Sequence, residues 1–161
     1  MLNLFKEDRI FKIMAPITGR VLDIRETPDP VFAEKMVGDG VAIEPAEGLV
    51  FSPIEGEIVQ LFPTKHAIGL RNLEGVELLI HVGIDTVKMQ GEGFQSFVNL
   101  GSKVKIGQKL LAFDLELIRN KAKSCITPIV VSNLPPLEIL KKYEGQISAG
   151  CNVIMEVRIR K

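Results

Sequence analysis

The sequence predicts an all-β fold, an antiparallel sandwich or barrel, on three observations. Clusters of Gly, Pro, Asn and Asp recur about every eight to twelve residues, the runs between them are short and alternate apolar with polar side chains, and two short stretches alone have a helical pattern. The 161 residues, 46% of them hydrophobic and 25% charged, suit one domain with one core.

The elements follow in order along the chain. Residues 1–10 precede the first turn cluster and are expected to form a short, mobile N-terminal tail, with residues 11–161 as a single domain. Met1 to Asp8 lacks a basic stretch followed by an apolar run, so it does not read as a signal peptide. The turn Pro16 to Gly19 leads into a strand from Gly19 to Ile24, and Pro53 to Gly56 leads into another from Gly56 to Leu61. The clusters Pro28 to Pro30, Gly38 to Gly40 and Pro45 to Gly48 separate the elements between these strands. Leu115 to Ser124 and Leu137 to Tyr143 are the two helical candidates, and Val153 to Ile159 reads as the last strand. The motif Ala15-Pro-Ile-Thr-Gly19 recurs as Ser52-Pro-Ile-Glu-Gly56 and, in part, as Thr127-Pro-Ile129. This is a weak internal echo, too irregular for a solenoid.

Composition excludes several classes. Twenty basic and 20 acidic side chains cancel, leaving no field of one sign for nucleic acid or an anionic membrane. No apolar run approaches the roughly 20 residues of a membrane span. Cys125 and Cys151 are far apart and read as reduced packing thiols, which places the protein in the cytoplasm.

The chain has two histidines, and one hairpin joins them. Phe62 to Arg71 and Val76 to Gly83 have strand character and flank Asn72-Leu-Glu-Gly75. If Asn72 to Gly75 is the reversal, paired residue numbers sum to 147 and His66 lies directly opposite His81. A two-residue turn at Leu73-Glu74 keeps that sum, whereas a three-residue loop shifts it by one. In the first register Val76, Leu78, Ile80 and Val82 face the core with Ala67 and Gly69. His81, Leu79 and Glu77 then lie outside with His66, Ile68 and Leu70.

Two imidazoles side by side suit phosphoryl transfer. Imidazole titrates near neutral pH, so one nitrogen can be a free nucleophile while a carbonyl fixes the proton on the other. The second ring can hold the phosphoryl oxygens, and the Thr64 hydroxyl can orient that ring. No phosphate-binding Gly-x-x-x-x-Gly-Lys-Ser/Thr loop is present, so donor and acceptor would be other proteins. Asp29 and Asp85 would flank such a site and face an arginine of a partner. Three rivals compete with this reading. A metal site would draw on His66, His81 and Asp85. A biotinyl or lipoyl carrier would draw on Gly101 to Asp114, which looks like the half-repeats of those domains but lacks their hairpin lysine. A Ser-His-Asp hydrolase has no Gly-x-Ser-x-Gly elbow to stand on.

The run Ile80-His-Val-Gly-Ile-Asp-Thr-Val87 closely resembles the phosphorylation motif of the glucose-family IIA component of the bacterial phosphoenolpyruvate-dependent sugar phosphotransferase system. Val31 to Gly40, Thr64-Lys-His66, Gly91 to Phe94, Phe113-Asp-Leu, Lys121 to Ser124 and Thr127 to Asn133 extend the resemblance over nearly the whole chain beyond residue 12. The resemblance implies a flattened antiparallel β-sandwich with Greek-key and jelly-roll features and one or two short helices. It implies that His81 takes a phosphoryl group on Nε2 from the phosphocarrier HPr and passes it to a sugar-specific IIB domain for glucose-type uptake. It further implies that His81 Nδ1 bonds the Gly83 carbonyl, that His66 steadies the phosphoryl group, and that Thr64 holds His66. The implied docking surface comprises Val31, Phe32, Met36, Val37, Phe62, Ile68, Leu79 and Val87. Many relatives carry Phe where this chain has Leu79, a swap that keeps apolar character. The resemblance implies a covalent phosphohistidine and no cofactor, with zinc at His66 and His81 opportunistic at most. In enteric relatives the unphosphorylated form also inhibits permeases and glycerol kinase, so regulatory partners stay open here.

Overall fold

The computed structural model describes residues 9–133 and 137–159. In chain order the strands are β1 (Arg9–Met14), β2 (Gly19–Asp23), β3 (Asp39–Pro45), β4 (Leu49–Phe51), β5 (Gly56–Leu61), β6 (Ala67–Arg71) and β7 (Glu77–His81). They continue with β8 (Phe94–Ser96), β9 (Lys103–Val104), β10 (Lys109–Phe113), β11 (Thr127–Val131), β12 (Leu137–Lys142), β13 (Gly145–Ile147) and β14 (Val153–Ile159). Two short helices, α1 (Pro30–Ala33) and α2 (Leu115–Lys121), and 3-10 turns over Ile24–Glu26 and Thr86–Met89 lie between them. The main sheet runs β13-β2-β3-β11-β7-β6-β5-β9, and two three-stranded sheets run β1-β14-β12 and β4-β10-β8. The strand pairs are antiparallel, and the sheets stay open rather than closing into a barrel.

Alternation explains the layers. One face of the main sheet contributes Val21, Val41, Ile43, Ile58, Ile68, Leu70, Leu78, Ile80, Ile129 and Val131 to a core shared with Ile13, Leu110, Leu111, Met155 and Val157 from the smaller sheets. The opposite face carries a second, smaller cluster of Ile24, Phe32, Ile84 and Val130, with Val37 and Leu79 packed against it. β11 is therefore buried on both faces, which is why it reads as an unbroken apolar run rather than an alternating one. The segment from Ile24 through α1 covers the second face beside β7, next to His81. The first two copies of the Pro-Ile echo lead into β2 and β5 and lie side by side. The Phe51 N–H donates to the Pro16 carbonyl at 2.8 Å, and the Met14 N–H to the Pro53 carbonyl at 3.1 Å.

The histidine hairpin has the other register. Arg71 pairs with Glu77, Leu70 with Leu78, Ile68 with Ile80 and Ala67 with His81. The cause is a three-residue loop. Asn72 and Val76 close it, with the Asn72 N–H donating to the Val76 carbonyl at 3.0 Å, and Gly75 takes φ 95° at its third position. The buried Asn72 side chain fixes this loop by accepting from the N–H groups of Val76 at 2.8 Å and Glu74 at 3.1 Å. One slip in register exchanges the faces of a strand. Ile68 and Leu70 therefore lie in the core with no exposed surface, and Ala67 and Gly69 take the outer face.

Three other expectations change. Leu137 to Tyr143 is strand β12, not helix. Leu, Glu and Lys favour a helix, but pairing with β14 through Leu137 to Ile159 and Ile139 to Val157 outweighs that local preference. The helix expected to reach Ser124 stops at Lys121 with Ala122 as its C-cap, and the Ser124 carbonyl instead accepts from the Ile84 N–H at 2.9 Å. Of the tail expected over residues 1–10, Arg9 and Ile10 belong to β1, paired with Ile159 and Arg158, and residues 1–8 lie outside the described residues. The segment likened to biotinyl half-repeats forms β9 and β10, after which Asp114 caps α2 by accepting from the Leu117 N–H. Both cysteines are free: Cys125 is half-buried against the core, whereas Cys151 is exposed.

Candidate functional site

His81 ends β7 on the same face as Leu79, the face of the second cluster. Its Nδ1 lies 2.8 Å from the Gly83 carbonyl oxygen. A carbonyl oxygen can only accept, so Nδ1 carries the proton and the neutral ring keeps a free lone pair on Nε2. Gly83 reaches this position through φ 69°. A Cβ there would stand 2.6 Å from Thr86 Cγ2 and 2.9 Å from the Ser124 carbonyl oxygen.

His66 comes one residue before β6. The Val82 N–H donates to its carbonyl at 2.7 Å, which places it opposite Val82 rather than His81. Its side chain is 2% exposed. The rings still meet edge to face, with centroids 4.9 Å apart and planes at 81°. The pleat ends at both positions, where Lys65 (φ 59°) and Gly83 (φ 69°) turn the chain, so strand parity no longer sets the direction of the side chains. Ala67, directly across from His81, offers only a methyl group. Thr64 Oγ1 lies 2.6 Å from His66 Nδ1. Phe62 packs its ring at 5.2 Å from His66, and Phe32 at 5.0 Å from His81.

This apolar packing keeps both rings neutral. Burial first, then the neighbouring His81, lowers His66 from the ordinary 6.5 to about 4. Burial also lowers His81, against the opposing pull of the Gly83 carbonyl and the Asp29 charge. The sign of the stability effect follows. Between pH 6.5 and about 4 the unfolded chain binds a proton that the folded His66 refuses. Stability is therefore full above 6.5, falls as the pH drops through that window, and levels off below about 4. Urea midpoints at pH 7 and pH 4.5 are expected to differ more in the wild type than in His66→Gln, and an equal difference would contradict burial as the cause.

The remaining residues divide. Asp29 caps α1, accepting from the Val31 N–H at 2.9 Å, with Pro30 at the first helical position. Asp85 stands in a left-handed conformation at φ 63° and pairs with Lys88 at 3.8 Å. Val31, Met36 and Val87 are 38%, 69% and 51% exposed and form open apolar surface. Val37, Phe62 and Leu79 are half-buried. Phe32 is buried and acts as packing under His81, and Ile68 belongs to the core and presents nothing to a partner. Among the described residues no group of three His, Cys, Asp or Glu side chains is placed to hold a metal, so His66, His81 and Asp85 do not form a ligand set. Sequence reasoning missed Thr86 and Thr127, two fully buried hydroxyls on the backbone behind His81. Their signal was their place inside the quoted stretches Ile80 to Val87 and Thr127 to Asn133.

Comparison with known proteins gives a consistent result. The profile of the family described as phosphoenolpyruvate-dependent sugar phosphotransferase system, EIIA 1 matches residues 11–136. A PTS system glucose-specific EIIA component of Bacillus cereus is 57% identical over 149 residues, covering 92% of this chain and 90% of that protein. A protein of the same name from Staphylococcus epidermidis is 53% identical over 153 residues, covering 94% and 92%. The solved glucose permease IIA of Mycoplasma capricolum superposes with a TM-score of 0.88 at 36% identity, covering 92% of this chain and 96% of that one.

Proposed function

Because the chain belongs to the EIIA 1 family of the phosphoenolpyruvate-dependent sugar phosphotransferase system and is a phosphoryl carrier of that system, we propose that His81 Nε2 is the atom that carries the phosphoryl group. The observation that supports this most is the 2.8 Å bond from Nδ1–H to the Gly83 carbonyl, which leaves Nε2 as the free nucleophile. The Nε2 lone pair attacks phosphorus on a phosphohistidine of an HPr-type donor. The donor N–P bond breaks, and its electron pair returns to the donor nitrogen. The reverse of this step delivers the group to a IIB-type acceptor for glucose-type sugars, the class the relatives' names give for those proteins.

In this reading the Thr64 hydroxyl donates to His66 Nδ1, and the His66 Nε2–H donates to the phosphoryl oxygens as the charge shifts between nitrogens. Val31, Met36 and Val87 form the exposed apolar part of the docking face, with Asp29 and Asp85 at its rim for an arginine of the partner. No cofactor is needed, because the lone pair is already free. Zinc on the two imidazoles would compete with phosphate for it. We place the carrier in the cytoplasm. Among the described residues no helix is long and apolar enough to cross a membrane.

The His66→Gln variant tests the division of roles. It is expected to accept phosphate on His81 from phosphorylated HPr and to pass it to a IIB domain roughly 100-fold more slowly, since the nucleophile remains and an aligned donor is lost. Transfer at the wild-type rate would remove His66 from the mechanism.

A further inference from the structure

The carbonyl that fixes the His81 tautomer must itself be held. Gly83 lies between two peptide bonds, and each is tied at both ends. In the Val82–Gly83 bond, the Val82 carbonyl accepts from Thr86 Oγ1 at 2.6 Å and the Gly83 N–H donates to Thr127 Oγ1 at 3.2 Å. In the Gly83–Ile84 bond, the Gly83 carbonyl accepts from His81 Nδ1 at 2.8 Å and the Ile84 N–H donates to the Ser124 carbonyl at 2.9 Å. A hydroxyl has one proton to give. That of Thr127 goes to the Cys125 carbonyl at 3.0 Å, so its lone pair is what receives the Gly83 N–H. Both threonines have no exposed surface, so water cannot take their place. The preceding peptide is held as well: the Val82 N–H donates to the His66 carbonyl at 2.7 Å, which ties the His81–Val82 peptide to the second histidine.

We propose that Thr127 is a positioning residue for phosphoryl transfer, clamping the Val82–Gly83 peptide together with Thr86 so that the Gly83 carbonyl keeps the His81 proton on Nδ1 and the lone pair on Nε2. This rests on His81 being the phosphoryl acceptor. When the Nε2 pair forms the new N–P bond and the donor nitrogen recovers its own pair, the His81 ring becomes positive. Its Nδ1–H bond to the carbonyl then becomes charge-assisted. A carbonyl turned away loses that stabilisation and lets the proton move to Nε2, which then has no pair to give.

Thr127→Val keeps the branched shape and removes the hydroxyl, and Thr127→Ser restores it. Nitrogen NMR of the imidazoles in the unphosphorylated protein reads the tautomer directly. Wild type and Thr127→Ser are expected to show His81 protonated at Nδ1. Thr127→Val is expected to show a mixture with the Nε2–H form and to take phosphate from phosphorylated HPr roughly ten-fold more slowly. Thr86→Val opens the other end of the clamp and is expected to give the same mixture, which decides the matter should Thr127→Val fail to fold. A wild-type tautomer in the folded valine variants overturns the proposal. The tautomer is read without a phosphate donor, so a wild type that takes up no phosphate would instead overturn the carrier assignment of His81.

Discussion

His81→Gln is expected to reduce phosphoryl uptake by at least roughly four orders of magnitude while the protein stays folded. A primary amide has no lone pair basic enough to attack phosphorus, yet its N–H can still donate to the Gly83 carbonyl. His66 cannot substitute: it is 2% exposed, and its Nδ1 is already held at 2.6 Å by Thr64. Phosphate incorporation from phosphorylated HPr, read beside thermal melting of the same sample, separates lost chemistry from lost structure. Residual uptake near wild type would place the phosphoryl group elsewhere.

Gly83→Ala is the second large effect, and it acts on stability and chemistry together. An alanine at φ 69° carries the left-handed strain, about 1–2 kcal/mol. Its Cβ would stand 2.6 Å from Thr86 Cγ2 and 2.9 Å from the Ser124 carbonyl oxygen, which adds an overpacking cost of about 1–3 kcal/mol. The sum, about 3 kcal/mol, corresponds to a fall in Tm on the order of 10 °C for a domain of this size. Because the loop must shift to admit the methyl group, uptake is expected to fall by more than the unfolded fraction explains. A Tm and uptake rate equal to wild type would show that the loop does not hold His81.

The fold class was legible because period-two alternation and turn residues are local signals. β5 and β14 fall on the segments that alternation marks, Gly56 to Leu61 and Val153 to Ile159. β12 was not legible, because its Leu, Glu and Lys residues favour a helix and its strand state depends on β14, distant in sequence. α1 was not legible, since its one local signal, a cap at Asp29 and a first-turn Pro30, sits in what reads as a turn cluster and the helix is four residues long. The sequence places the histidines side by side, and their rings do meet, but they are not the directly opposed cross-strand pair that its register implies. The two-residue-turn register put His66 across from His81, the loop closed by Asn72 and Val76 shifts that register by one, and the rings meet because the chain turns at Lys65 and Gly83. The same slip took Ile68 from the docking surface into the core. The threonine clamp was beyond local reading, since Thr127 meets Gly83 across 44 residues of sequence.

The most direct test of His81 as the carrier is to phosphorylate the wild-type chain with phosphorylated HPr and locate the acid-labile phosphate by phosphorus–nitrogen coupling and peptide mapping. The expected result is one phosphoryl group per chain on His81, bonded to Nε2, with Nδ1 still protonated toward the Gly83 carbonyl. Phosphate on Nδ1 of that ring, on His66, or on no residue at all would contradict it.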